Sequence, residues 1–204
     1  MKKIILASKS NDRSEIFKRA GIPFEVFVTH VEEEQYKEKY SNPIMLVKEL
    51  AKAKAIFARN KFSKRKLDAI IIAADTIIVL DGKIIGKAQN EEEAFTMLKK
   101  LIGRNHELIT GIAITETNNS KIIIDFDITY VQFIKLSDQE IRSYIKSNEW
   151  KGRAGAYSIG DKASLFIKKI EGSSSNVIGF PMHKLFEILR KEFKLNLLQI
   201  KGKK

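Results

Sequence analysis

The 204-residue sequence contains no cysteine, three prolines and one tryptophan. Without cysteine there is no disulfide, no thiolate metal site and no cysteine nucleophile, a composition that suits a reducing compartment. No run of about 18 apolar residues occurs, the length a bilayer-spanning helix needs. The four apolar residues Ile4 to Ala7 behind Met1-Lys2-Lys3 are too few for a signal-peptide core. The expectation is a cytoplasmic protein. Its three histidines, His30, His106 and His183, stand too far apart for zinc-ligand spacing. No glycine-rich run ends in Gly-Lys-Ser/Thr, so there is no P-loop. Gly172-Ser173-Ser174-Ser175 lacks the nucleophile-elbow pattern of a serine hydrolase. The aromatic-rich basic motif of an RNA-binding sheet is missing too.

What remains is the composition of an ordinary globular protein, 44% hydrophobic and 30% charged. A chain of this length buries roughly 70% of the surface its unfolded form exposes, so it needs no covalent or metal staple. It suffices for one α/β domain or two small ones. The formal charge is +12, from 37 Lys+Arg against 25 Asp+Glu. Such an excess suits nucleic acid, an anionic surface or a polyanionic small molecule. Most of it is lysine scattered along the chain, with clusters at Lys61 to Lys66 and at Lys201 to Lys204. Scattered lysines are ordinarily a solvated surface.

Ile4 to Ala7 reads as a buried strand. Asp12 and Glu15 have capping-box spacing before Ile16, Phe17 and Ala20, and Gly21 stops that helix. Phe24 to Val28 reads as a strand. Asn42 with Pro43 opens a long helix with Met45, Leu46, Leu50, Ala53 and Phe57 as its apolar stripe. Ala69 to Ala73 suits a central strand. Thr76 to Leu80 and Lys83 to Gly86 flank Asp81-Gly82 as a hairpin. Asn90 and Ser137 each cap a further helix, Leu108 to Thr115 and Lys121 to Ile134 read as strands, and His183 to Phe193 closes the chain as a helix. Helices between strands, with several hairpins, predict an α/β fold on a long mixed sheet flanked by helices.

Four features could carry chemistry. Ser8, Ser10 and Arg13 sit in the turn between a strand and a helix, where hydroxyls, N–H groups and a guanidinium suit a phosphate. Serines there are also ordinary caps. Asp75 lies among apolar residues and reads as a carboxylate at a strand end; burying it unpaired is costly, so it suggests a metal ligand or base, with an ordinary turn as the alternative. Glu32-Glu33-Glu34 follows a strand, and Mg²⁺ is typically held by one or two carboxylates plus phosphates. The plainer alternative is a solvated loop. Lys54 and Lys87 are isolated cations in a helix and at a hairpin end, with surface charge as the alternative reading of each.

The segments LASKSNDRSEIFKRAGIPFEV, AADTIIVLDGKIIGKA, LIGRNHELITGIAI, AGAYSI and IEGSSSNVIGFP, in this order, resemble the Maf family. The likeness spans Leu6 to about Pro181. It implies a single domain over residues 1–204, akin to inosine-triphosphate pyrophosphatases, with two lobes around a cleft. It implies a nucleoside triphosphate pyrophosphatase acting on standard or modified nucleotides with Mg²⁺ or Mn²⁺, assembled as a homodimer. By matched position Asp75 and Glu33 are the catalytic, metal-linked carboxylates, and Lys54 and Lys87 the catalytic cations. Ser8, Ser10 and Arg13 grip phosphates, while Asp12, Thr76 and Gly160 fall where the family reads the base.

Several positions depart from the family pattern. Asn11-Asp12 replaces Pro-Arg, Gly160 stands in place of Gln, and Arg153 lies near a usual Lys. Ala88 replaces Pro, and Ala53 replaces the Glu before Lys54. Asp12 and Gly160 are therefore expected to move preference away from dTTP and UTP. The rival from another class is a non-catalytic nucleic-acid-binding or cell-division (septum) regulator, prompted by the charge. Trp150 is either an interface residue or partly buried.

Overall fold

The computed structural model describes residues 2–200, so the basic tail Lys201 to Lys204 lies outside the described residues. The strands are β1 (Lys3–Leu6), β2 (Glu25–Val26), β3 (Ala69–Leu80), β4 (Lys83–Ile85), β5 (Asn105–Glu116), β6 (Ile122–Phe133) and β7 (Ile167–Glu171). The helices are α1 (Asn11–Arg19), α2 (Glu33–Lys39), α3 (Pro43–Lys64), α4 (Glu91–Leu101), α5 (Asp138–Ile145), α6 (Ser174–Ile178) and α7 (Met182–Glu192). Hydrogen bonding orders the strands β2-β1-β3-β5-β6-β7, with β4 on β3. The α/β class and the helix-flanked mixed sheet are as the sequence predicts. Among the described residues no helix is long and apolar enough to cross a membrane.

Contacts divide the chain into two compact units. The first comprises Met1–Asp75, Thr110–Asp127 and Gly179–Lys204. Here β1 pairs in parallel with both β2 and β3, Ile4 opposite Ile70 and Leu6 opposite Ile72. Residues of a strand point alternately to its two faces, and two apolar clusters divide accordingly. Ile4, Leu6, Ile70, Ile72, Ala74, Ile112 and Ile114 pack with Phe17, Phe180 and Leu185. Ile5, Ala7, Ala69, Ile71, Ala73 and Ala113 pack with Ala51, Ala55, Ala58 and Phe62 of α3. The odd-numbered positions of β3 and β5 therefore face α3, which places Asp75 on the helix-covered side.

The second unit comprises Thr76–Ile109 and Ile128–Ile178. β4 turns back on β3 through Asp81 (φ 50°) and Gly82 (φ 74°), two left-handed residues in succession, as a tight two-residue hairpin requires. Ser137 and Glu140 form a complete capping box on α5. Leu98, Leu101, Ile141 and Ile145 pack with Phe133, Trp150, Tyr157 and Phe166. Trp150 is buried and donates its indole N–H to the Ile145 carbonyl at 3.1 Å, so it belongs to this core.

Three sequence readings need correction. The cap of α1 is Ser10, whose hydroxyl accepts the Arg13 N–H; Asp12 and Glu15 form no capping box, because Asp12 already lies in the first turn. Glu33 and Glu34 open a helix, α2, where the plainer reading is a solvated loop: acidic residues suit a helix N-terminus, and Glu34 pairs with Lys37 one turn on at 2.5 Å. β3 does not stop at Ala73 but runs unbroken through Asp75 to Leu80. The short helix α6, Ser174 to Ile178, falls where the sequence reading assigns no element.

Candidate active site

Seven of the candidate residues lie in the first unit, and most of them converge. Asn42 caps α3, its side chain accepting the Met45 N–H at 3.0 Å. The buried face of α3 then carries Leu50, Ala51, Lys54, Ala55 and Ala58. Lys54 is thus a lysine on an apolar face, 8% exposed, directed at the sheet. Its ammonium lies 2.5 Å from Asp75 Oδ1 and 2.7 Å from Glu33 Oε1. Both carboxylates therefore converge on one cation, their oxygens no farther apart than those two contacts laid end to end.

This pairing explains why β3 continues past Ala73. An unpaired buried carboxylate costs several kcal/mol, and the ammonium of Lys54 removes that penalty within the strand.

Arg13 is the second buried cation. Its Nε donates to the Gly179 carbonyl at 2.8 Å, and its Nη1 donates to the Ala74 carbonyl at 2.8 Å and to Ser8 Oγ at 3.2 Å. The guanidinium so ties the β1–α1 turn to the residue before Asp75. Burial pushes its pKa below the ordinary value, while Asp75, Glu33 and Asp12 oppose that shift through their charges. The same carboxylates thus surround both cations. Ser8 Oγ also accepts the Ser10 N–H at 3.2 Å, and Ser10 caps α1. The turn presents a nine-residue helix N-terminus, where N–H groups favour an anion.

The sequence marks Arg13 as a phosphate grip; the structure commits at least its Nε and Nη1 to protein acceptors. Sequence reasoning did not single out Gly179, whose carbonyl holds Arg13. The signal was Gly179 itself, in the left-handed region at φ 115° just before Phe180-Pro181.

The remaining three candidates belong to the second unit. Thr76 follows Asp75 on β3 and is half-buried. Lys87 is exposed, and its backbone bridges Ala154 while the neighbouring Gly86 carbonyl accepts the Gly155 N–H at 2.9 Å. Gly160 is exposed with open space around it. Of the other departures, Arg153 donates to the Glu149 carbonyl at 2.6 Å and lies 3.6 Å from Asp161, and Ala88 is buried.

The donor set bears on a divalent ion. Among the described residues no group of three or more His, Asp or Glu could hold a metal. Two converging carboxylates nevertheless match what Mg²⁺ usually takes from a protein, the other positions falling to phosphate and water oxygens. The residues present fit such an ion when a polyphosphate supplies the rest.

The chain resembles known proteins over nearly its whole length. The family model described as Maf-like protein matches residues 3–192. A protein named dTTP/UTP pyrophosphatase from Alkaliphilus oremlandii (strain OhILAs) is 45% identical over 198 residues, covering 97% of this chain and 100% of that protein. Its namesake from Thermoanaerobacter sp. (strain X514) is 43% identical over 199 residues, covering 96% and 100%. A solved structure described as a Nucleoside-triphosphatase / dITP/XTP pyrophosphatase from Mycobacterium abscessus aligns with a TM-score of 0.40 at 12% identity, covering 64% of this chain and 72% of that one. On the family match over residues 3–192 and these relatives, the chain belongs to the Maf-like protein family.

Proposed function

We propose that this protein hydrolyses the α–β phosphoanhydride of nucleoside triphosphates, releasing the monophosphate and pyrophosphate, as a metal-dependent enzyme. The observation that carries this reading is the meeting of Asp75 and Glu33 on the Lys54 ammonium, beside the buried Arg13. A triphosphate is itself densely anionic, so an oxygen nucleophile approaches only when cations and N–H groups offset that charge.

In this reading Asp75 accepts a proton from water. The water oxygen bonds to the α-phosphorus, and the bridging oxygen departs with the electron pair as pyrophosphate. Lys54 holds the two carboxylates in place and offsets charge on the phosphates. Ser8, Ser10 and the α1 N-terminus offer hydroxyl and N–H donors to phosphate oxygens. Arg13 stiffens that turn and adds positive field. Asp75 and Glu33 would hold Mg²⁺ or Mn²⁺, which when bound lowers the pKa of water and neutralises phosphate charge.

The relatives are named for dTTP and UTP, and these pyrimidine nucleotides are the substrates we assign, in a cytoplasmic homodimer. The assignments to Lys87, Thr76, Asp12 and Gly160 rest on family resemblance. The test is purified protein with Mg²⁺ or Mn²⁺, offered standard and modified nucleotides, with pyrophosphate and orthophosphate measured separately. Equimolar pyrophosphate and monophosphate are expected, fastest from dTTP or UTP. If modified nucleotides outrank both, the reaction stands and the departures at Asp12 and Gly160 set the base preference. No turnover, together with salt-sensitive binding of single-stranded DNA, would replace the enzyme by a nucleic-acid-binding protein.

A further inference from the structure

The contact between Lys54 and Asp75 joins a helix to a strand, so it depends on how closely α3 lies on the sheet. That spacing is set about two helical turns before Lys54. A Cβ added to Gly111 would fall 2.8 Å from the Lys48 backbone nitrogen, and closer still to the carbonyl carbon and oxygen of Val47. The atoms it would meet are all backbone, so no rotamer change relieves the clash. Gly111 is absent from the left-handed residues of the chain. Its value here is therefore space, not conformational freedom.

Other residues along the same seam are small as well. Val47, Ala51, Ala55 and Ala58 recur at helical spacing on the buried face of α3, around Lys54. Opposite them stand Ala69, Ala73 and Ala113 on β3 and β5. β5 lies next to β3, the strand of Asp75. Backbone-to-backbone packing at Gly111 thus fixes the height of α3 directly over the strand pair that carries the carboxylate.

We propose that Gly111 is a positioning residue for the reaction: by admitting the Val47–Lys48 backbone onto β5, it sets the distance from which Lys54 grips Asp75. The inference rests on the enzymatic reading above. Restoring an ordinary carbon contact of about 3.5–4 Å at this point requires moving the helix by roughly 1 Å. A misplacement of that size at a catalytic group costs on the order of 10²-fold in rate.

The experiment is Gly111→Ala, assayed for kcat and KM and crystallised beside the wild type. The expected result is a folded protein with kcat lowered about 100-fold and KM little changed. Its Lys54–Asp75 contact should be longer than in the wild-type crystal. A folded variant with wild-type kcat, or with the contact unchanged, overturns the proposal. If the wild type itself turns over no nucleotide, the enzymatic reading fails, and the crystal comparison alone decides whether Gly111 sets the spacing. Should Gly111→Ala not fold, Ala51→Val lifts the same helix by its side chain and carries the same two expectations. As a control, Leu98→Ala loosens the core of the second unit; it should lower thermal stability while kcat per folded molecule holds. Equal losses of kcat in that control and in Gly111→Ala would reduce Gly111 to a general packing role and overturn the proposal.

Discussion

In the first unit Arg13, Lys54 and Asp75 are buried as charged partners; in the second, His106 and Tyr157 are buried as a neutral pair. Every buried Lys, Arg, Asp or Glu among the described residues lies in the first unit. Replacing a buried ion pair by apolar residues is often neutral or stabilising, so stability alone gives no reason to keep such a cluster. His106 shows the opposite solution. Burial pushes its pKa down to about 4, its Nε2 meets the Tyr157 hydroxyl at 2.9 Å, and the Phe133 ring packs edge-on at 4.8 Å. Burial likewise raises the Tyr157 hydroxyl far above its ordinary value. The contrast separates a region organised for charge from one organised for packing.

The sharpest way to break the contrast is Asp75→Asn. It keeps the side chain's shape and should lower kcat by about 10²–10⁴-fold, the usual worth of a positioned acid or base. Circular dichroism should show the fold retained; more than about a tenth of wild-type kcat would remove Asp75 from the role of base. Lys54→Met comes next. It leaves Asp75 in its buried position without the ammonium, and breaking one side of a buried pair costs about 3–5 kcal/mol. Urea denaturation should show that loss together with a fall in turnover, and an unchanged midpoint would deny the pair its place in the fold.

The second unit is tested by pH. The folded state protonates His106 only near pH 4, whereas the unfolded chain does so near 6.5. The stability that comes from keeping it neutral is whole above pH 6.5 and is lost as the pH falls towards 4. The full swing is about 3 kcal/mol, at 1.36 kcal/mol per pKa unit. Comparing wild type with His106→Gln over this range isolates it from the carboxylates that titrate nearby in pH; parallel curves would remove it. The smallest effect belongs to Arg142→Gln, which breaks a pair with Glu92 at 2.9 Å in which both side chains are more than half exposed. Such pairs contribute little, and thermal melts in moderate salt should show no resolvable change.

Local rules found much of this architecture in the sequence. Asn42, Asn90 and Ser137 cap their helices as read, each accepting the N–H three residues on, because a cap is decided within one turn. Asp81-Gly82 made its hairpin for an equally local reason. Glu33 and Glu34 were harder, since a short acidic stretch is ambiguous until it has something to pack on; α2 contacts α3. Asp75 misled because a carboxylate ordinarily ends a buried strand, and its partner stands 21 residues earlier on another element. The positions of Ser8, Arg13, Glu33, Lys54 and Asp75 were picked out by residue type and family likeness. Nothing in their spacing showed that Arg13 would spend its donors on Ala74 and Gly179.

By itself, then, the order of residues determined the helix caps, the hairpin turn, the alternation that gives each strand two apolar faces, and the family. Those depend on neighbours within a few positions, or on motifs that survive as text. Only the tertiary structure decided that Lys54 reaches both carboxylates, and that Gly111 leaves room for the helix carrying it. Such contacts bring together segments far apart in the chain, and their distances follow from how closely a helix can settle on a sheet.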